Sequence, residues 1–188
     1  VATRVISFGT PIILADSTDY NPTAGTGLTG TRTHQLDLGG IASGAYRQSA
    51  KFDFFAGGSS CPEWWFCRAA IVPASAPTAG LSAEIFLAFS DDGTAANNNP
   101  GNLSGSDGAY TGYGGAAGDA DEQIGGQFLR LGAVVFSADS DTHIGDIGRF
   151  PVLARYGIVV VRNSLNVALA TSAAQMSVQL WPITETIS

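Results

Sequence analysis

The sequence predicts an all-β fold: a β-sandwich or jelly-roll-like pair of antiparallel sheets with long Gly/Asn-rich loops and an extended N-terminal arm. Three observations predict it. Apolar residues recur with a period of two in one segment after another. Clusters of Gly, Pro, Asn and Asp separate those segments, as turn backbones require. The only helical pattern, "DADEQI" (Asp119–Ile124), is a single turn at most.

The elements follow in chain order. "TRVISF" (Thr3–Phe8) and "THQLDL" (Thr33–Leu38) are short strand candidates. Between them "ADSTDYNPTAGTGLTGTRT" (Ala15–Thr33) has little to bury, and reads as an arm onto a neighbouring subunit or a loop over its own domain. In "YRQSAKFDFF" (Tyr46–Phe55), Tyr46, Gln48, Ala50, Phe52 and Phe54 share one face, against Arg47, Ser49, Lys51, Asp53 and Phe55. "WWFCRAAIV" (Trp64–Val72) sets Trp65, Cys67, Ala69 and Ile71 against Trp64, Phe66, Arg68 and Ala70. "SAEIFLAFS" (Ser82–Ser90) turns Ala83, Ile85, Leu87 and Phe89 inward and Glu84 outward. Further strands are expected in Gln127–Ser137, Thr142–Phe150, Tyr156–Ser164 and Ala174–Ile183. "RNSLN" reads as a tight hairpin connection into a weaker strand, Asn166–Ala170. No repeat of fixed period occurs, so residues 1–188 are taken as a single domain, with about 1–33 forming a strand plus the arm or loop.

Composition narrows the function. Charged residues make up only 13% of the 188, about half the usual share. Apolar content of 45% rules out disorder, so low charge suits a surface hidden against neighbours. The net charge of −7, the single lysine (Lys51) and the scattered arginines argue against nucleic-acid binding. No apolar run is long enough for a membrane-spanning helix, and the opening "VATRVISFG" has no secretory signal pattern. Removal of an initiator Met before Val1, after cytosolic synthesis, is the expected origin of that start.

Chemistry is poorly provided for. His34 and His143 are the only histidines and no G-x-S-x-G elbow occurs. Four glutamates offer no carboxylate pair for glycoside hydrolysis. Cys61 and Cys67 lack zinc-ligand or C-x-x-C spacing and are expected as buried or half-buried thiols, with a local disulfide as the alternative. Asp139, Asp141, His143 and Asp146 resemble a hard-metal loop, but Ile144 stands where an EF-hand needs glycine, so a solvated turn is expected. No catalytic, cofactor or metal residue is assigned.

The stretch "SDDGTAANNNPGNLSGSDGAYTG" (Ser90–Gly112) is rich in oxygen donors without calcium-motif spacing. It is expected to be a long excursion against solvent or a neighbour, removable over Asn97–Asp107 without loss of fold. Trp64 and Trp65 must face opposite sides of their strand. A protein contact therefore draws on Trp64, Trp65, Asn97, Asn98, Asn99, Asp107, Tyr110 and Tyr113.

Several segments together resemble a family of tailed-bacteriophage virion structural proteins. They are "TRVISFGTPIILADSTDYNPTAG", "RQSAKFDF", "RAAIVPASAPTAG", "NPGNLSGSDGAYTGY", "ARYGIVVVRN" and "MSVQLWPI". Within it the chain is most similar to the capsid decoration, or cement, proteins. The resemblance implies a β-sandwich or jelly-roll body, usually a homotrimer, seated on the major capsid protein at the outer capsid surface of the virion. It carries over no catalytic residue and no cofactor. "AGGSSCPEWWFC" (Ala56–Cys67) departs from the family pattern. The alternatives are a phage tail or collar component, and a carbohydrate-binding, lectin-like module suggested by the tryptophans and the Asn/Asp loop. A small hydrolase is disfavoured by the poverty of His and Glu.

Overall fold

A computed structural model describes residues 4–22, 27–56, 61–114 and 119–187. The strands are β1 (Arg4–Phe8), β2 (Ile12–Ala15), β3 (His34–Gln35), β4 (Tyr46–Gln48), β5 (Phe52–Asp53), β6 (Trp64–Ile71), β7 (Ser82–Ser90), β8 (Gly108–Tyr110), β9 (Leu129–Val135), β10 (His143–Pro151), β11 (Tyr156–Asn163) and β12 (Ser177–Ile187). One helix, α1, spans Asp119–Gln127, and a 3₁₀ turn spans Pro100–Asn102.

The strands form two six-stranded sheets packed face to face, as the sequence predicts. The first runs β10-β6-β12-β2-β3, with β1 also on β12; the second runs β8-β4-β11-β7-β9, with β5 also on β11. Pairing is antiparallel except for β2 with β3. The chain changes sheet at each step from β9 to β12, which ties the layers together. Along one side β9 meets β10 through side chains rather than a ladder. A side chain at Gly132 would lie 2.7 Å from Ile147 Cγ2, so glycine is what lets the two edges close.

The main core lies between the sheets. The alternation of β6 and β7 delivers Trp65, Cys67, Ala69, Ala83, Ile85 and Leu87 to it, where they meet Val159 and Val161 of β11 and Val178 and Leu180 of β12. Phe54 packs its ring 5.0 Å from that of Trp65 and 5.1 Å from that of Phe52.

Several expectations need correction. Tyr46–Phe55 is two short strands, not one. The ladder breaks at Ser49–Lys51, so Tyr46 joins a second core while Phe52 and Phe54 join the main one. Asn166–Ala170 forms no hairpin strand. Asn163 Oδ1 instead accepts the Leu165 N–H, making a side-chain-closed turn, and Leu169 makes only an isolated bridge to Pro73. Helix α1 exceeds the single turn expected. β2, a run of four buried apolar residues, and β8 carry no alternation and escape a reading by period.

The segment after β2 is not an extended arm over its described part. Asn21 N donates to Ala174 O, Gln179 Nε2 to Thr29 O and Ala173 N to Asp19 Oδ2, so the loop lies on its own first sheet. Thr23–Thr26 fall outside the described residues.

Candidate functional site

The two sheets differ on their outer faces, and that difference locates the site. On the second sheet, Tyr46, Phe86, Ala88, Ile158 and Val160 point outward, yet all are buried. Residues 90–114 and 119–128 cover them. Leu103 and Tyr110 come from the donor-rich loop, and Ala120 and Ile124, one helical turn apart, come from α1. Asp119, Asp121 and Glu122 sit in the first turn of that helix, where carboxylates suit the helix dipole. Asp121 Oδ1 accepts the Tyr46 hydroxyl and pairs with Arg162 Nη2 at 3.0 Å. The loop is thus a lid over a second core.

The lid is pinned by the only lysine. Lys51 Nζ donates to Ser90 Oγ and to the carbonyl oxygens of Asp92, Thr94 and Asn97 at 2.7–3.1 Å. Gly105, at φ +69°, approaches so closely that a side chain would collide with the Ala95 carbonyl. Most of the polar residues expected to meet a partner serve this architecture. Asn97 Nδ2 bonds Asp92, Asn98 Nδ2 bonds Asp91, and Asn99 Nδ2 bonds the carbonyls of Ala95 and Leu103. Asp107 accepts the Asp37 N–H and holds Arg47 in a two-pronged pair. Tyr110 is buried and donates to Gly101 O. The expectation that the lid is a removable excursion is therefore reversed. Tyr113, 62% exposed, is the lid's outlying aromatic.

Trp65 is buried, its Nε1 donating to Pro62 O, and so lies out of reach of a partner. Trp64 keeps 39% of its surface exposed, with the Arg149 guanidinium 5.8 Å from its ring centroid. It borders a groove of about 430 Å³ that also takes in Glu63, Thr184 and Glu185. Cys61 and Cys67 are both free thiols, Cys67 fully buried and Cys61 half-buried, and burial pushes both thiols up. Gly57–Ser60 fall outside the described residues.

The outer face of the first sheet is the opposite case. Phe8 lies 5.9 Å from Phe66 and 6.5 Å from Trp181, edge-on to the latter. With Arg68 they line an open hollow of about 250 Å³. Trp181 Nε1 is buried there without a partner among the described residues. Arg68 rests over the Phe66 ring and pairs with Asp146, whose carboxyl it holds below the usual range. Sequence alternation identified Phe66 as outward but did not mark Phe8 or Trp181. Three strands far apart in sequence assemble this patch.

The four residues of the Asp139–Asp146 segment divide between two elements: Asp139 and Asp141 lie in the turn between β9 and β10, and His143 and Asp146 lie in β10 itself. Ser137 Oγ donates to Asp139, its N–H donates to His143 Nε2, and the His143 ring stacks on Phe136 at 4.4 Å. The Ser137–His143 contact resembles a nucleophile–base pair. The Ser137 N–H, however, is already bonded to His143 and is not free to hold an oxyanion. Among the described residues no cluster of His, Cys, Asp and Glu could hold a metal ion, and no helix is long and apolar enough to cross a membrane.

No protein-family model matches the chain, and no curated protein or solved structure matches it either.

Proposed function

We propose that this chain is a non-enzymatic structural protein of a tailed-phage virion, a capsid decoration protein that binds the major capsid protein on the head surface. The observation that carries the reading is the aromatic face on which exposed Phe8 and Trp64 meet half-buried Phe66 and Trp181, open on the first sheet where the outer face of the second is covered by its own chain. Flanking Arg68 and Arg149 give that face the composition of a contact centre, aromatic and arginine-rich. Seated on the capsid through that face, the chain would act by mass action, stabilising the assembled head because it binds only the assembled lattice. The resemblance over most of the chain supplies the kind of partner.

Immunogold labelling of particles from the genome that encodes this chain tests the reading. Label over the head supports it. Label confined to the tail or collar turns it into the tail-component alternative, and unlabelled particles overturn both. Glycan binding has one observation in its favour, exposed Trp64 beside the groove with Glu63 and Glu185. A glycan array blank for wild type would dispose of it.

A further inference from the structure

β1 is unlike every other strand among the described residues. All five of its residues are exposed, with Val5 at 48%, Ile6 at 50% and Phe8 at 56%. It pairs with β12, from Phe8 opposite Ile183 to Arg4 opposite Ile187. β6 reaches β12 only as far as Ile183, so beyond that point β1 and β12 stand as a two-stranded ribbon. Such a ribbon is marginal by itself in water. Edge strands are normally blunted by charged side chains, proline or a bulge; β1 has no proline or bulge, and its one charge, Arg4, is paired with Glu185 of β12.

The direction of its free backbone groups follows from its register. Gly9 N donates to Pro182 O, continuing the β1–β12 ladder by one residue. Hydrogen-bonded pairs alternate in an antiparallel ladder, so Val5 and Ser7 also face β12. The N–H and C=O groups of Arg4, Ile6 and Phe8 therefore point away from β12, toward an edge that no described strand occupies.

We propose that this edge pairs with the same edge of a second copy, antiparallel, about a two-fold axis at Ile6. The sequence "RVISF" is self-complementary in that register. Ile6 meets Ile6 of the second copy, Arg4 meets Phe8, and Val5 meets Ser7. Every outward N–H and C=O of Arg4, Ile6 and Phe8 gains a partner. The charges agree: Arg4, ion-paired with Glu185 of its own β12, comes beside the Phe8 ring of the other copy, and no like charges stand opposite. The first sheets of the two copies become one continuous sheet, and the two bare aromatic patches join across the axis. The contact is isologous and closes at two copies. It is independent of the virion reading, and it differs from the threefold assembly that the resemblance implies.

Light scattering on the purified chain reads the copy number. The expected mass is twice the 19.3 kDa of one chain. Ile6→Lys sets two ammonium groups against each other and should raise the dimer dissociation constant at least ~100-fold while circular dichroism stays unchanged. In a Cys61→Ser background, Ile6→Cys should cross-link two copies under mild oxidation, because hydrogen-bonded partners sit about 5.5 Å apart at Cα. Val5→Cys faces Ser7 of the other copy and should not cross-link. A mass of one or three chains, a dimer untouched by Ile6→Lys, or cross-linking of Val5→Cys as readily as Ile6→Cys would each overturn the pairing.

Discussion

The two sheets present the same problem on their outer faces and solve it differently. The second sheet points Tyr46, Phe86, Ile158 and Val160 outward and roofs them with a loop and a helix from its own chain. The first sheet points Phe8, Phe66 and Trp181 outward and leaves an open hollow among them. Apolar surface of this kind, rimmed by charge, marks a contact with something outside the chain. The difference separates residues that matter for folding from residues that matter for assembly, although both sets look alike on a strand.

Substitutions should divide along the same line. The largest effect is expected from replacing residues 97–107 with a short Gly/Ser linker. This removes Leu103, the Asp107–Arg47 pair and the Asn97 contact to Lys51 together, and thermal melting should show most of the stability gone. Unchanged melting would make the lid dispensable and erase the contrast. Leu103→Ala should cost about 3 kcal/mol in denaturant titration, a normal price for a buried leucine. Lys51→Met follows at about 2 kcal/mol, from the lost charge-assisted hydrogen bonds to the lid carbonyls.

Asp16→Asn should cost up to about 2 kcal/mol. Burial pushes the Asp16 carboxyl up, but the Thr18 hydroxyl and the N–H groups of Thr18 and Asp19 outweigh burial and hold it well below the usual carboxylate range. A depressed folded value stabilises fully above the unfolded value of about 3.9 and is lost as the pH falls toward the folded one. Wild type should therefore lose its advantage over Asp16→Asn only under acid, which melting at pH steps below 5 would read. The smallest effect belongs to the bare face. Phe8→Ser, measured on dilute protein, should change stability by no more than ~0.5 kcal/mol. A loss as large as that of Leu103→Ala would show the face to be core after all.

The fold was legible where the pleat is regular. In β6 alternation separated the two faces of the strand, in β7 it placed Ala83, Ile85 and Leu87 inward, and β11 was expected as a strand. It failed in three physical situations. The ladder break at Ser49–Lys51 reverses the facing of Tyr46 relative to Phe52, so a continuous period was read across a discontinuity. β2 is buried throughout, so it shows a run rather than a rhythm. The lid places apolar residues singly, at Leu103, Tyr110, Ala120 and Ile124, too sparsely for any period. For the same reason the lid's polar residues looked like a surface: their partners are backbone carbonyls and carboxylates that no local pattern reveals. Of the residues singled out for a contact, Trp64 lies beside the bare face and Tyr113 on the lid, while Phe8 and Trp181 emerged only from the pairing of β1, β6 and β12.

The cage around Lys51 has a chemical consequence. Burial pushes the Lys51 amine down, yet the Ser90 hydroxyl and three carbonyl oxygens surround its nitrogen, so an acylating reagent reaches it when the lid lifts. With no second lysine in the chain, the rate at which an amine-reactive label reaches this one side chain becomes a clock for how often residues 90–97 open.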